Sequence, residues 1–338
     1  MSKIVLKAGK ERSLYRLHPW VFSGAIAKIK GDVQEGDVVQ VYNSDDEYLA
    51  TGHYQIGSIA VRVLTFKEEE IDYNFWVERI RQAYLTRVAI GLATNPNNNV
   101  YRLVHGEGDD LSGLVIDYYA GVAVVQFHSV GMYKVREEIT KALLEVMGDK
   151  LIAIYDKSEG TLPFKAGLNP KNDYLYGHTD NFTAIENGLK FNVDWLEGQK
   201  TGFFLDQKYN RRAAATLARG KKVLECFTHT GSFALNLAAA GAQKVTAVDI
   251  SADALETAGY NARLNSLEDK IDFVCADVFD LLTKLVKKGE HPYDYILLDP
   301  PAFTKSRSTL KNAIAGYREI NYKAMKLLPR GGYLATCS

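Results

Sequence analysis

Cysteine is scarce: Cys226, Cys275 and Cys337 are the only three in 338 residues, and they lack the paired spacing of a structural zinc site or a disulfide framework. A reducing cytoplasm suits such a chain, and no metal site is expected. The amino terminus, Met1-Ser2-Lys3-Ile4-Val5-Leu6-Lys7, breaks its apolar residues with lysines and has no run of the kind a signal peptide needs. No stretch reaches membrane-spanning length, so no membrane partner is expected. Excess charge is missing as well. With 41 basic and 41 acidic residues, bulk electrostatics gives no general attraction to nucleic acid, and any RNA affinity must come from local patches.

What is present is the make-up of an ordinary globular protein, 46% hydrophobic and 24% charged, too long for one core. Two or three domains are expected. One basic patch stands out: Lys3, Lys7, Lys10, Arg12, Arg16, Lys28 and Lys30 are set against Glu11 alone in the first thirty residues. Within it Lys7, Lys10, Arg12 and Arg16 are candidates for gripping RNA phosphates, with a solvated basic face as the alternative.

Residues 1–70 read as short strands between turn signals, such as Val38–Tyr42 and Ile59–Leu64, giving a small β-rich domain. Helical spacing of Phe75, Ile80, Tyr84 and Val88 then predicts a helix over Asp72–Leu92. Residues 71–186 form a middle α+β domain, with strands at Gly113–Asp117, Val122–Phe127 and Leu151–Tyr155 around a helix over Tyr133–Met147. Residues 187–338 are expected to form the last domain, in which the chain after Lys221 becomes a regular βα alternation. Its five short strands begin near Val223, Val245, Ile271, Tyr295 and Tyr333. That rhythm predicts a Rossmann-like α/β domain with a parallel sheet.

In such a sheet ligands bind outside the carboxyl ends of the strands, so the residues that end strands are the informative ones. The first turn, Thr228-His229-Thr230-Gly231-Ser232, lets a ligand approach backbone N–H groups at Gly231. It is not the G-x-G-x-x-G of dinucleotide enzymes, which argues against a nicotinamide oxidoreductase and for a cofactor without pyrophosphate, such as S-adenosylmethionine (SAM). Asp249, eighteen residues on, can accept from both ribose hydroxyls of an adenosine ligand, or serve as a helix N-terminal acid beside Ser251. Asp277 can reach an adenine amino group, or cap the helix that follows. Asp299-Pro300-Pro301-Ala302-Phe303 ends an apolar strand; its prolines stiffen the backbone and Phe303 offers a stacking face for an extruded base.

At these residues the chain resembles the SAM-dependent ribosomal RNA large-subunit methyltransferases of the cytosine carbon-5 type that carry an N-terminal PUA domain. The resemblance also covers Lys200–Gln207, Asn210-Arg211, His18–Phe22 and Gly106–Leu114. It implies a PUA domain over 1–70, a hairpin around Trp195–Phe204 introducing the catalytic part, SAM as methyl donor and structured RNA as substrate. By the resemblance Thr228, Thr230 and Gly231 surround the methionine end, Asp249 takes the ribose, Asp277 the adenine, and Asp299 with Phe303 the target base. Asp206 and Gln207 look like part of the cofactor rim, with a structural role as the alternative.

Methylation of cytosine carbon 5 needs a thiolate to add to carbon 6, because carbon 5 is otherwise too electron-poor to attack the sulfonium methyl. Cys337, ending the fifth strand, is the candidate nucleophile; Cys226 and Cys275 are expected in the core. In the resembled family the reactive cysteine can lie two residues further on, after a serine. The family's sheet has seven strands, so about fifty more residues are expected beyond Ser338 from βαβ unit size. Two rivals share the fold: a guanine methyltransferase that needs no cysteine, and a non-catalytic RNA-binding protein. A homodimer is among the assemblies the sequence allows.

Overall fold

The computed structural model describes residues 2–163, 167–304 and 306–337, which fall into two compact units. The first comprises Met1–Phe182 with Val193–Phe203, and the second Thr183–Asn192 with Phe204–Ser338.

The first unit contains two sheets. β1 (Ser2–Leu6), β2 (Trp20–Phe22), β3 (Ile26–Lys30), β4 (Val38–Tyr42), β5 (Tyr48–Tyr54) and β6 (Ile59–Thr65) pair in the order β2-β6-β5-β4-β1-β3, with α1 (Arg12–Tyr15) between β1 and β2. Alternation along these strands turns Ile4, Leu6, Val39, Val41, Val61 and Val63 into a shared core. The second sheet runs β11-β10-β9-β8-β7, from β7 (Val100–His105), β8 (Leu114–Tyr119), β9 (Val122–Phe127), β10 (Ala153–Asp156) and β11 (Asp173–Gly177). Its core includes Trp76 and Ile80 of α2 (Tyr73–Ala89) and Ile139 and Leu143 of α4 (Arg136–Met147).

Asp72 starts α2 by accepting from the Phe75 N–H at 2.9 Å. The helix expected over Tyr133–Met147 is two helices: α3 (Val130–Lys134), capped by Ser129, and α4, separated at Val135, whose backbone leaves the helical region. Two sequence segments singled out above meet in this unit, where Trp20 Nε1 donates to Glu107 Oε1 at 2.8 Å.

The second unit opens with a hairpin of β12 (Thr183–Glu186) and β13 (Leu189–Asn192), not with one around Trp195–Phe204. The reason is local. Asn187-Gly188, both at positive φ, form the two-residue turn that suits the twist of a hairpin, whereas Asp194 folds its following residues back by accepting from the Leu196 and Glu197 N–H groups. After α5 (Lys208–Ala215) comes an all-parallel sheet in the order β16-β15-β14-β17-β18, built from β14 (Lys222–Cys226), β15 (Lys244–Asp249), β16 (Ile271–Cys275), β17 (Tyr295–Leu298) and β18 (Tyr333–Thr336). The crossovers are α6 (Ser232–Ala239), α7 (Ala252–Leu264), α8 (Val278–Lys288) and α9 (Leu310–Leu327). Strand order reverses at the β14/β17 pair. That is the switch point at which open α/β sheets hold ligands.

Candidate cofactor and base site

Three residues of the loop after β14 alternate in left-handed backbone: Phe227 (φ 66°), His229 (φ 50°) and Gly231 (φ 81°). Bulky side chains rarely adopt that region, and it costs about 1–3 kcal/mol per residue to hold them there. At Gly231 glycine is required twice over, since an added Cβ would also lie 2.9 Å from the Ala258 Cβ of α7. The loop is held from three sides. The Thr228 N–H donates to the Val248 carbonyl, Asn261 Nδ2 donates to the Thr230 carbonyl, and the His229 N–H donates to Asp249 Oδ2 at 2.8 Å.

Asp249 ends β15 and its other oxygen accepts from the Ser251 N–H at 3.0 Å. It therefore sits at the strand end where a ribose could be taken while bracing two backbone segments. Asp277 caps α8 by accepting from the Asp280 N–H at 3.1 Å, which is the helix-cap role considered for it. Cys226 is buried, but Cys275 is exposed, which corrects the expectation of a core residue: β16 is an edge strand, and among the described residues no strand pairs on its outer side.

Sequence reasoning missed the most unusual group. Glu225, inside β14, is fully buried with 0% exposure. The Thr228 hydroxyl lies near enough to favour its charged form, yet no hydrogen bond closes: both carboxylate oxygens and Thr228 Oγ1 are enclosed without a partner among the described residues. Burial, then the charges of Asp299 and Asp249, push the Glu225 carboxyl up to about 8. Orphaned acceptors in a closed site are costly unless a donor arrives. A cofactor bearing an ammonium and a sulfonium, as SAM does, fits this cluster of Glu225, Asp249 and Asp299. In the sequence its one mark is a lone acid in an apolar strand two residues ahead of the loop, which by itself reads as an interruption of that strand.

Asp299, following β17, is raised by burial, opposed by the neighbouring Cys337 thiol and by the charge of Arg211, and raised again by Asp206. Cys337 follows β18, with its N–H donating to the Leu298 carbonyl at 2.9 Å. Burial, then the charge and nearness of Asp299, push the thiol up to about 11. In this state it is a protonated thiol and not a waiting thiolate.

Pro301 is exposed and Pro300 half-buried, while the Phe303 ring is held among Tyr317, Phe279 and Phe227 with centroids at 4.5, 5.7 and 6.4 Å. The stacking face expected of Phe303 is thus part of an aromatic cluster. Asp206 is exposed in the turn Leu205–Gln207, and Gln207 Oε1 accepts from Asn210 Nδ2 at 2.8 Å, a bond that serves the start of α5.

In the first unit Lys10, Arg12 and Arg16 are exposed around α1, while Lys7 Nζ is engaged with the Gly24 carbonyl at 2.9 Å. Beside them lies a cavity of about 340 Å³ lined by Lys10, Ser13, Leu14 and Phe22 among others. Among the described residues no helix is long and apolar enough to cross a membrane, and no group of three or more His, Cys, Asp or Glu could hold a metal ion.

Residues 101–338 match the family described as S-adenosylmethionine-dependent methyltransferase, and residues 4–66 match the PUA-like domain. A ribosomal RNA large subunit methyltransferase I from Aeromonas hydrophila is 41% identical over 343 aligned positions, covering 100% of this chain and 85% of that protein. The protein of the same description from Shewanella denitrificans is 43% identical, over 99% of this chain and 85% of its own length. Among solved structures, one from Streptococcus mutans described as a SAM-dependent methyltransferase superposes with a TM-score of 0.80 over 99% of this chain and 86% of that one, at 24% identity. That likeness speaks for the fold.

Proposed function

The chain belongs to the S-adenosylmethionine-dependent methyltransferases, in the family of the ribosomal RNA large subunit methyltransferase I proteins, and from that premise we propose that it methylates carbon 5 of a cytosine in structured ribosomal RNA. The observation that carries the reading is the pairing of β17 with β18, which, with the Cys337 N–H donating to the Leu298 carbonyl at 2.9 Å, brings Asp299 and Cys337 together at the strand ends. A carboxylate that can hydrogen-bond a pyrimidine and a thiol that can add to its ring are the two groups this chemistry needs.

When bound, the cofactor supplies an electrophilic methyl group. Glu225 and the Thr228 hydroxyl would take its ammonium end, with Thr230 and Gly231 beside the methionine chain, Asp249 on the ribose and Asp277 toward the adenine. Asp206 and Gln207 close the rim. Pro300 and Pro301 keep the base-side loop rigid, Phe303 stacks on the extruded base, and Asp299 hydrogen-bonds it as charge develops. Asp299, beside Cys337 at the strand ends, is the group that would receive the thiol proton. The thiolate would add to carbon 6 and the cofactor would supply its methyl to carbon 5, its sulfonium becoming a thioether; loss of the carbon-5 proton to solvent would then break the carbon–sulfur bond and return the thiolate.

Residues 1–70 are read as the part that holds RNA, through phosphates at Lys10, Arg12 and Arg16 with Lys7 behind them, and 71–186 and 187–338 as the middle and catalytic parts. The cavity beside Lys10 is large enough for a nucleobase. Such a reaction belongs in the cytoplasm. A homodimer is the finer expectation on assembly, which sedimentation tests.

One observation favours a second reading. A thiol raised to about 11 is a poor nucleophile at neutral pH, and a guanine methyltransferase with the same Asp-Pro-Pro loop would need none. Incubating labelled SAM with unmodified ribosomal RNA and identifying the methylated nucleoside by mass spectrometry decides between them: 5-methylcytosine supports the first reading and a methylguanine overturns it.

A further inference from the structure

Glu186 ends β12 and Arg211 lies in α5, and their side chains are enclosed, at 0% and 1% exposure. Arg211 Nε donates to Glu186 Oε1 at 2.7 Å and Nη2 to Oε2 at 2.9 Å, a bidentate pair. Burying two charges costs about as much as their attraction returns, and a well-packed apolar pair would join the hairpin to α5 as well. The ion pair therefore calls for another explanation.

A third bond supplies it. Arg211 Nη2 also donates to the Phe204 carbonyl at 2.8 Å. Phe204 opens the turn carrying Asp206 and Gln207, and its ring meets that of His229 edge-on, with centroids 5.5 Å apart and planes at 83°. The His229 N–H is in turn held by Asp249. Glu186, Arg211, Phe204, His229 and Asp249 form one connected frame around the loop after β14.

We propose that Arg211, locked by Glu186, is a positioning residue that fixes the rim Phe204–Gln207 against the cofactor loop. The inference rests on the reading of that loop as the SAM site. Arg211 is also a cation acting on Asp299, a group faced by Cys337 from β18, Asp206 from the rim and Glu225 from β14; Arg211 itself is faced by Glu186 and Lys208. Loss of its charge should therefore register at Asp299 as well as in cofactor affinity.

The test uses the full chain with Glu186→Leu and Arg211→Met together, which removes both charges and leaves neither orphaned. Melting temperature should stay near wild type, calorimetric SAM affinity should fall about tenfold, the worth of one charge-assisted hydrogen bond, and the acidic limb of the methyl-transfer pH profile should move to higher pH. A purely structural pair moves neither of the last two. Should the double variant melt early, Arg211→Lys decides: it keeps the charge but not the fork, so reduced SAM affinity at wild-type melting supports the proposal and wild-type affinity overturns it. A double variant that folds and binds SAM like the parent also overturns it. If the wild type binds SAM but methylates no RNA while the variants follow the expected affinities, the RNA reading fails and the positioning role stands.

Discussion

The His229 backbone N–H donates to Asp249 Oδ2 at 2.8 Å, so the carboxylate proposed for ribose also braces the loop after β14. Asp249→Ala removes both services and should weaken SAM by about 1.5–3 kcal/mol. Asp249→Asn keeps one acceptor and should lose less. Calorimetric affinity left unchanged by both substitutions would remove Asp249 from the site.

Glu225 gives a pH signature. Its carboxyl is raised by burial to about 8 in the fold, from an ordinary value of 4.5, so folding favours the protonated form. The stability it contributes is fully present below its unfolded pKa and is lost as pH rises through about 8. Glu225→Gln, neutral throughout, should melt higher than wild type above that pH, with the difference shrinking as pH falls toward 4.5. For SAM binding the order reverses, because the ammonium needs the charged carboxylate. A Gln variant that binds SAM as well as wild type would exclude the pairing.

After burial, the charge of Asp299 is the largest cause that raises the Cys337 thiol, so removing that charge should make the thiol easier to ionise. Alkylation of Cys337, followed by peptide mass spectrometry, should be slow until pH approaches 11 in the free protein and should start at lower pH in Asp299→Asn. If cytosine carbon 5 is the target, RNA containing 5-fluorocytosine should be trapped covalently, because fluorine cannot leave as a proton does. An undiminished trap in Cys337→Ala moves the nucleophile to another cysteine; methylation without any trap favours the guanine reading.

Charge reversal of Lys10, Arg12 and Arg16 should weaken RNA binding and lower the salt slope by about 2, at roughly 0.7 per phosphate contact on single strands. Lys7, tied to the Gly24 carbonyl, should add little. An unaltered slope makes the patch a solvated face.

The strand ends of the last sheet were legible because a parallel sheet writes itself as short apolar runs followed by Gly, Asp or Pro; β18 begins where the pattern predicts, and in the first unit β4 and β9 begin and end there too. Glu225 was not legible in that way: within such a run an acid reads as an interruption, and only the absence of any partner makes it conspicuous. The Asn187-Gly188 turn was a readable hairpin signal, but the resemblance drew attention to Trp195–Phe204 instead. Arg211 and Glu186, 25 residues apart, or Trp20 and Glu107, 87 apart, share no period that a one-dimensional pattern could carry.

The placement of β12 and β13 sets a timetable for the growing chain. The hairpin belongs to the second unit, yet Val193–Phe203, made after it, belongs to the first. Its own partners come later still: Asn187 Nδ2 donates to Asn236, and the Lys190 and Asn192 N–H groups donate to Asn265 and Asn261. At synthesis rates of about 5–20 residues per second, the hairpin waits several seconds for the helices that receive it. Throughout that interval Phe191 and Glu186, both buried in the finished fold, wait for the parts that enclose them. A slowed codon stretch upstream of residue 236 would lengthen the wait, and a chaperone that shields short apolar hairpins would matter most there.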